Sequence, residues 1–228
     1  MQVGRGPMGK GLTAGVTSLI AAAFPPATPA IVGASAAMQA IGDKLNALQQ
    51  ERVTSLLVGA KAECGLEAEE IIMWLVEDEG LCLLAADAID AARRSRLKTK
   101  PAALGNCLGS ILADATLIDI ESVWIRIIAV LEPPHVTILR SFLEHTATTG
   151  SGSTLWGPGP AMRVSELGAQ TGLDEAVLPL VQDLLSAGLL MECAPGGLVI
   201  GGPDAFGREI QATTLGSQAF ARLSVAAV

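Results

Sequence analysis

Val164-Ser165-Glu166-Leu167-Gly168-Ala169-Gln170-Thr171-Gly172-Leu173 runs directly into Asp174-Glu175-Ala176-Val177-Leu178-Pro179-Leu180-Val181-Gln182-Asp183-Leu184-Leu185-Ser186-Ala187-Gly188-Leu189-Leu190. The apolar spacing reads as a short helix, a turn at Gly172, and a second helix whose Val177, Leu180, Val181 and Leu184 face inward. Ala187-Gly188-Leu189-Leu190 then closes it. That is the spacing of a helix-turn-helix.

Downstream, Met191-Glu192-Cys193 and Leu198-Val199-Ile200 flank Ala194-Pro195-Gly196-Gly197, which reads as a hairpin turn. Glu209 to Thr213 supplies a further strand, and Thr214-Leu215-Gly216 opens a last helix. Upstream, Pro133-Pro134 introduces a helix from His135 to His145. A Gly/Ser/Thr/Pro-rich stretch, Thr146 to Pro160 with Trp156 inside it, connects that helix to the motif.

The "AGLL" ending, the hairpin and the "TTLG" start of the last helix together resemble the winged-helix modules of bacterial regulators, from His135 to about Leu223. The resemblance implies DNA binding, and the chemistry of the reading helix opposes it. Between Val164 and Leu190 stand Glu166, Asp174, Glu175 and Asp183 and not one base. Base readout normally uses Arg, Lys, Asn or Gln. Pro179 lies within the expected second helix, where it removes a donor and kinks or strains the backbone. From Pro133 onward four Arg face eight acids. Arg163 and Arg208 are the remaining route to nucleic acid. The expected surface is therefore a protein-binding one, built on Asp174, Glu175, Asp183 and the loop residue Trp156.

The whole chain has 228 residues, half of them hydrophobic, with 15 bases against 23 acids and a net charge of −8. That length supports a buried core, and the apolar fraction excludes a disordered chain. The charge argues against coating nucleic acid by electrostatics alone. Between Asp43 and Glu132 the apolar period is near 3.6 and no strand signal of any length occurs. Leu45, Leu48, Val53, Leu56 and Leu57 form one stripe. A helix from about Leu66 to Arg93 is led by Glu67, Glu69 and Glu70 and closed by Arg93, Arg94 and Arg96, as the helix dipole favours. Thr99 and Pro101 open a third helix, Ala102 to about Ala115, and Asp119 caps a fourth, Ile120 to Leu131. The pattern from Ala91-Ala92-Arg93-Arg94-Ser95 through Leu104-Gly105-Asn106 is loosely similar to uncharacterised prokaryotic all-α proteins, a resemblance that implies no activity.

The expected fold is thus mainly α: an apolar leader over 1–42, a helical bundle over 43–132, and a winged-helix domain with a small β-hairpin wing over 133–228. Arg93, Arg94, Arg96, Lys98 and Lys100 hold a third of all bases within eight positions. They form a candidate grip for a phosphate, an anionic head group or an acidic partner, or else they neutralise a helix C-terminus.

Gly11 to Gly42 contains no charged residue. Pro25, Pro26 and Pro29 divide it into pieces too short to cross a bilayer as straight helices. A helical hairpin docked on the protein or buried between subunits, a membrane-inserting hairpin, and a cleaved secretory signal all fit it.

No catalytic signature emerges. Cys64, Cys82, Cys107 and Cys193 have no CxxC spacing and read as thiols of a reducing compartment. His135 and His145 are too far apart on a helix to share a metal. Gly4-Arg5-Gly6 with Gly9-Lys10-Gly11 lacks both the strand and the core of a phosphate loop, and no GxSxG elbow occurs. The expectation is a cytoplasmic, homo-oligomeric interaction or regulatory protein with no cofactor and no metal, binding a protein partner or itself. A membrane-active effector inserting 11–42 and a DNA-binding regulator are the alternatives.

Overall fold

Proline is favoured at the start of a helix, where its missing N–H would be unpaired in any case, and Pro29 opens the first described helix in just that way. The computed structural model describes residues 29–149, 161–193 and 209–225, with side-chain surroundings given for 39–144, 161–193 and 209–224. The first limb of the expected leader hairpin, Trp156, the 198–200 strand and Arg208 lie outside the described residues. The chain forms two compact units, 1–46 and 47–228. Helix α1 runs from Pro29 to Cys64, and in the first unit its Ile41 and Leu45 are exposed. No described helix is long and apolar enough to cross a membrane.

In the second unit α1 is followed by α2 (Ala68–Glu77), α3 (Glu79–Arg94), α4 (Lys100–Ala113), a 3-10 turn (Ala115–Leu117) and α5 (Ile118–Val130). The single helix expected over 66–93 is two. Asp78 leaves helical geometry at φ −106°, ψ 123°, and its carboxylate accepts from the Leu81 N–H to cap α3. An acid competes for backbone donors at such a point, and Gly80 beside it weakens helix continuation. The expected third helix begins two residues earlier, at Lys100. Asp114 rather than Asp119 supplies the acidic cap before α5, with its Oδ1 taking the Thr116 N–H at 3.0 Å.

Helix α4 is the centre of this bundle, with nine of its fourteen residues buried. Gly105 and Gly109, four apart on one face, let α1 come within backbone contact. A Cβ at Gly105 would lie 2.0 Å from the Leu56 carbonyl oxygen, and one at Gly109 would lie 2.5 Å from that of Ala60. Gly59 makes the reciprocal approach, 2.4 Å from Ala102 O. Small residues thus set the interhelical distance in a globular core as they do in lipid.

The remainder comprises α6 (Pro133–Thr149), β1 (Met162–Arg163), α7 (Val164–Thr171), a 3-10 turn (Asp174–Ala176), α8 (Val177–Ser186), β2 (Leu190–Glu192), β3 (Glu209–Ala212) and α9 (Thr214–Val225). The strands form one antiparallel sheet in the order β1-β3-β2, with Met162 opposite Ile210 and Leu190 opposite Ala212. The described partner of β2 is therefore β3, further along the chain than the expected hairpin strand. Gly172 ends α7 at φ +68°, the left-handed geometry that favours glycine. The described residues are mainly helical with one small sheet.

Pro179 does not break α8. The helix starts at Val177, so Pro179 is its third residue, where the backbone N–H has no intrahelical acceptor to lose.

Candidate functional site

The exposed side of α8 follows from its buried stripe. Val177, Val181 and Leu184 turn inward, leaving Pro179, Gln182, Asp183 and Ser186 outward. Asp174 and Glu175 sit exposed on the 3-10 turn just before it. Asp174 has φ +45°, a strained conformation for a non-glycine residue that a short polar side chain tolerates best. The three expected acids therefore occupy one turn-and-helix segment, with Asp183 two helical turns beyond the pair. Gln182, uncharged and exposed, is a side chain able to read a base edge. No base lies on this segment. Arg163 on β1 is exposed, but Glu209 opposite it approaches to 3.9 Å and offsets its charge.

Beside Asp183 lies a cleft of about 380 Å³ lined by Val130, Leu131, His135, Asp183, Leu184, Ser186 and Ala187. His135 is not among the site residues that the sequence pattern points to. It occupies the third position of α6, where Glu or Gln in a capping box reaches back to the N-cap backbone. His135 does the same: its Nδ1 accepts from the Glu132 N–H at 3.0 Å. The neutral ring then carries its hydrogen on Nε2. Nε2 is buried with no hydrogen-bond partner among the described residues, 3.6 Å from Asp183 Oδ2. In this arrangement neither nitrogen has a lone pair to offer a substrate proton or a metal. His135 is a cap whose ring forms part of the cleft wall, with its Nε2–H buried behind that wall. The Glu-Pro-Pro-His spacing holds the signal that could have revealed it.

The basic cluster is not one surface. Arg93, Arg94, Arg96 and Lys98 are exposed, and Arg94 is paired with Asp90 one turn earlier. That hydrogen bond raises the Arg94 pKa. Lys100 points inward instead and is 1% exposed. Its Nζ donates to Ala129 O at 2.6 Å, Leu131 O at 3.0 Å and Glu132 Oε1 at 3.1 Å. It satisfies the carbonyls that end α5, which a helix C-terminus leaves unpaired. Burial lowers its pKa while Glu132 works against that shift.

A second buried charge, Glu121 on α5, ties α9 to the bundle. Arg222 donates to both Glu121 oxygens, at 2.7 and 2.9 Å, and its guanidinium lies 4.5 Å from the Trp124 ring centre. Cys107 Sγ is 3.4 Å from the same guanidinium. Burial, with Glu121 adding to it, pushes the Cys107 thiol up to about 12, so this cysteine is a packed neutral group and not a nucleophile. All four cysteines are free. No set of three or more His, Cys, Asp or Glu side chains clusters closely enough to share a metal among the described residues.

Set against protein-family models, curated proteins and solved structures, the chain matches none.

Proposed function

We propose that residues 133–228 form a winged helix that binds a partner protein, in a non-enzymatic interaction or regulatory protein of bacterial type. The observation that supports this reading is the outward side of the α7–α8 segment. It presents Asp174, Glu175 and Asp183 with no base, beside an apolar cleft lined by Leu131, Leu184 and Ala187. Phosphates flanking a DNA groove would meet carboxylates on such a segment. A protein surface supplying Lys or Arg at the rim and an apolar side chain for the cleft meets complementary chemistry. The free thiols accord with a reducing compartment such as the cytoplasm.

The test is fluorescence anisotropy with labelled duplex DNA of mixed sequence and the full chain, from low to physiological salt. No saturable binding is expected at physiological salt. Tight binding that weakens steeply with salt, and weakens further on Arg163→Ala, would overturn the proposal.

A further inference from the structure

Helix α2 has ten residues and buries two of them, Ile71 and Leu75, one turn apart. Ile72, Met73, Trp74 and Val76 are exposed by 49%, 54%, 53% and 69%. Scattered exposed apolar residues are ordinary, but four large ones in five positions of one helix make a patch of the kind that marks an interface. Trp and Met are also residues that interfaces favour.

The charges along α2 itself and the first three turns of α3 are of one sign. Nine acids and no base stand between Glu63 and Asp90. Side chains four apart lie in rows along a helix, so each apolar row has an acidic border. Glu69 and Glu77 lie one turn either side of Met73, next to the Ile72–Val76 row. Glu70 lies one turn before Trp74, and Asp78 follows the end of the helix. The pattern repeats on α3, where Leu83, 64% exposed, stands between Glu79 and Asp87. Glu67 is engaged by Lys61 at 2.5 Å, and the Glu67 N–H donates to Glu70 Oε2 at 3.0 Å. Asp78 Oδ1 is taken by the Leu81 N–H, and the other acids of this border keep their carboxylates at the surface.

We infer that the outer face of α2 docks a basic amphipathic helix of a partner protein. Its apolar residues would pack along the Ile72–Val76 and Met73 rows while its Lys and Arg side chains meet the acidic borders. The Ile72–Val76 row is a ridge of the i, i+4 type that seats in the groove of a second helix. An acidic border opposes a phosphate-bearing occupant, whether lipid or nucleic acid. This surface is distinct from the α8 segment.

Isothermal titration calorimetry of the full chain with a synthetic Leu/Lys peptide of about four helical turns tests it. A Leu/Glu peptide of the same pattern is the control. Saturable binding of the Leu/Lys peptide, weakened by salt, is expected. It should weaken about tenfold or more in Ile72→Ser/Val76→Ser, as truncation of two interface anchors does. It should also weaken in Glu69→Lys/Glu77→Lys, a change of exposed charges that leaves the helix packing untouched. Equal binding of the Leu/Glu peptide, absence of binding, or affinity unchanged in the charge-reversed variant would overturn the inference. So would a monomer–dimer equilibrium in sedimentation that Ile72→Ser/Val76→Ser abolishes, since a second copy would then be the occupant.

Discussion

Helices α4 and α2 are both rich in apolar residues, and the protein treats them in opposite ways. α4 buries nine residues of fourteen, including a lysine, while α2 buries two of ten and leaves a tryptophan at the surface. Side-chain size explains the difference. Ala103, Gly105, Cys107 and Gly109 are small enough for neighbours to close on α4 from several sides. α1 approaches its glycines, and α3, α5 and α9 pack on its other flanks. The large side chains of α2 permit no such enclosure, and that helix packs chiefly on α3. Apolar content alone therefore does not separate core from contact surface in this chain. The size of the residues at the crossing does.

Substitutions on the two sides of this contrast should differ sharply. The largest expected effect is Arg222→Ala, which leaves Glu121 buried without its cation. Breaking a buried pair costs about 3–5 kcal/mol, and urea unfolding of the variant should show a loss near the lower end because Arg222 is partly exposed. Gly105→Ala places a methyl group against the Leu56 carbonyl and should cost about 2–3 kcal/mol by the same measurement. A neutral result there would mean that α1 and α4 do not cross at this glycine.

Lys100→Met keeps the buried stem and removes the donor to Ala129 O and Leu131 O. A loss of about 2 kcal/mol is expected. The Cys107 thiol sharpens the same point through pH. Its folded pKa, about 12, lies above its ordinary value of 9.0. Its contribution is therefore complete below pH 9 and is lost as pH rises from 9 toward 12. Lys100, whose folded pKa is lowered, changes stability in the opposite sense over the alkaline range. The informative quantity is thus the difference between wild type and Cys107→Ala: alkaline unfolding should be steeper in wild type. The smallest effect is expected on α2, where Ile72→Ser/Val76→Ser should move stability by no more than about 0.5 kcal/mol. A large loss would put that face in the core and end the contrast.

Much of the mainly helical architecture was legible because 3.6-residue periodicity and end signals are local. Val177, Val181 and Leu184 are buried as their spacing requires, and Gly172 turns as a glycine after a short helix should. Features set by distant partners were not legible. A lysine next to a run of arginines reads as surface charge, and only the fold brings the end of α5 to Lys100. Pro179 reads as a defect until the start of α8 is known, because a start three residues later, at Val177 instead of Asp174, changes a helix breaker into a first-turn residue. The pairing of β2 with β3 spans a connection longer than a hairpin signal covers. Of the candidate site, the acids were legible from composition. His135 was not, because its role depends on a backbone N–H three residues earlier and a carboxylate on another helix.

The most direct measurement places a photo-crosslinking amino acid at Gln182, on the outward side of α8, in the full chain expressed in cells. The account predicts a discrete crosslinked protein species that disappears when Asp174, Glu175 and Asp183 are changed to lysine. Crosslinking to DNA instead, or a protein crosslink indifferent to those three charges, would contradict it.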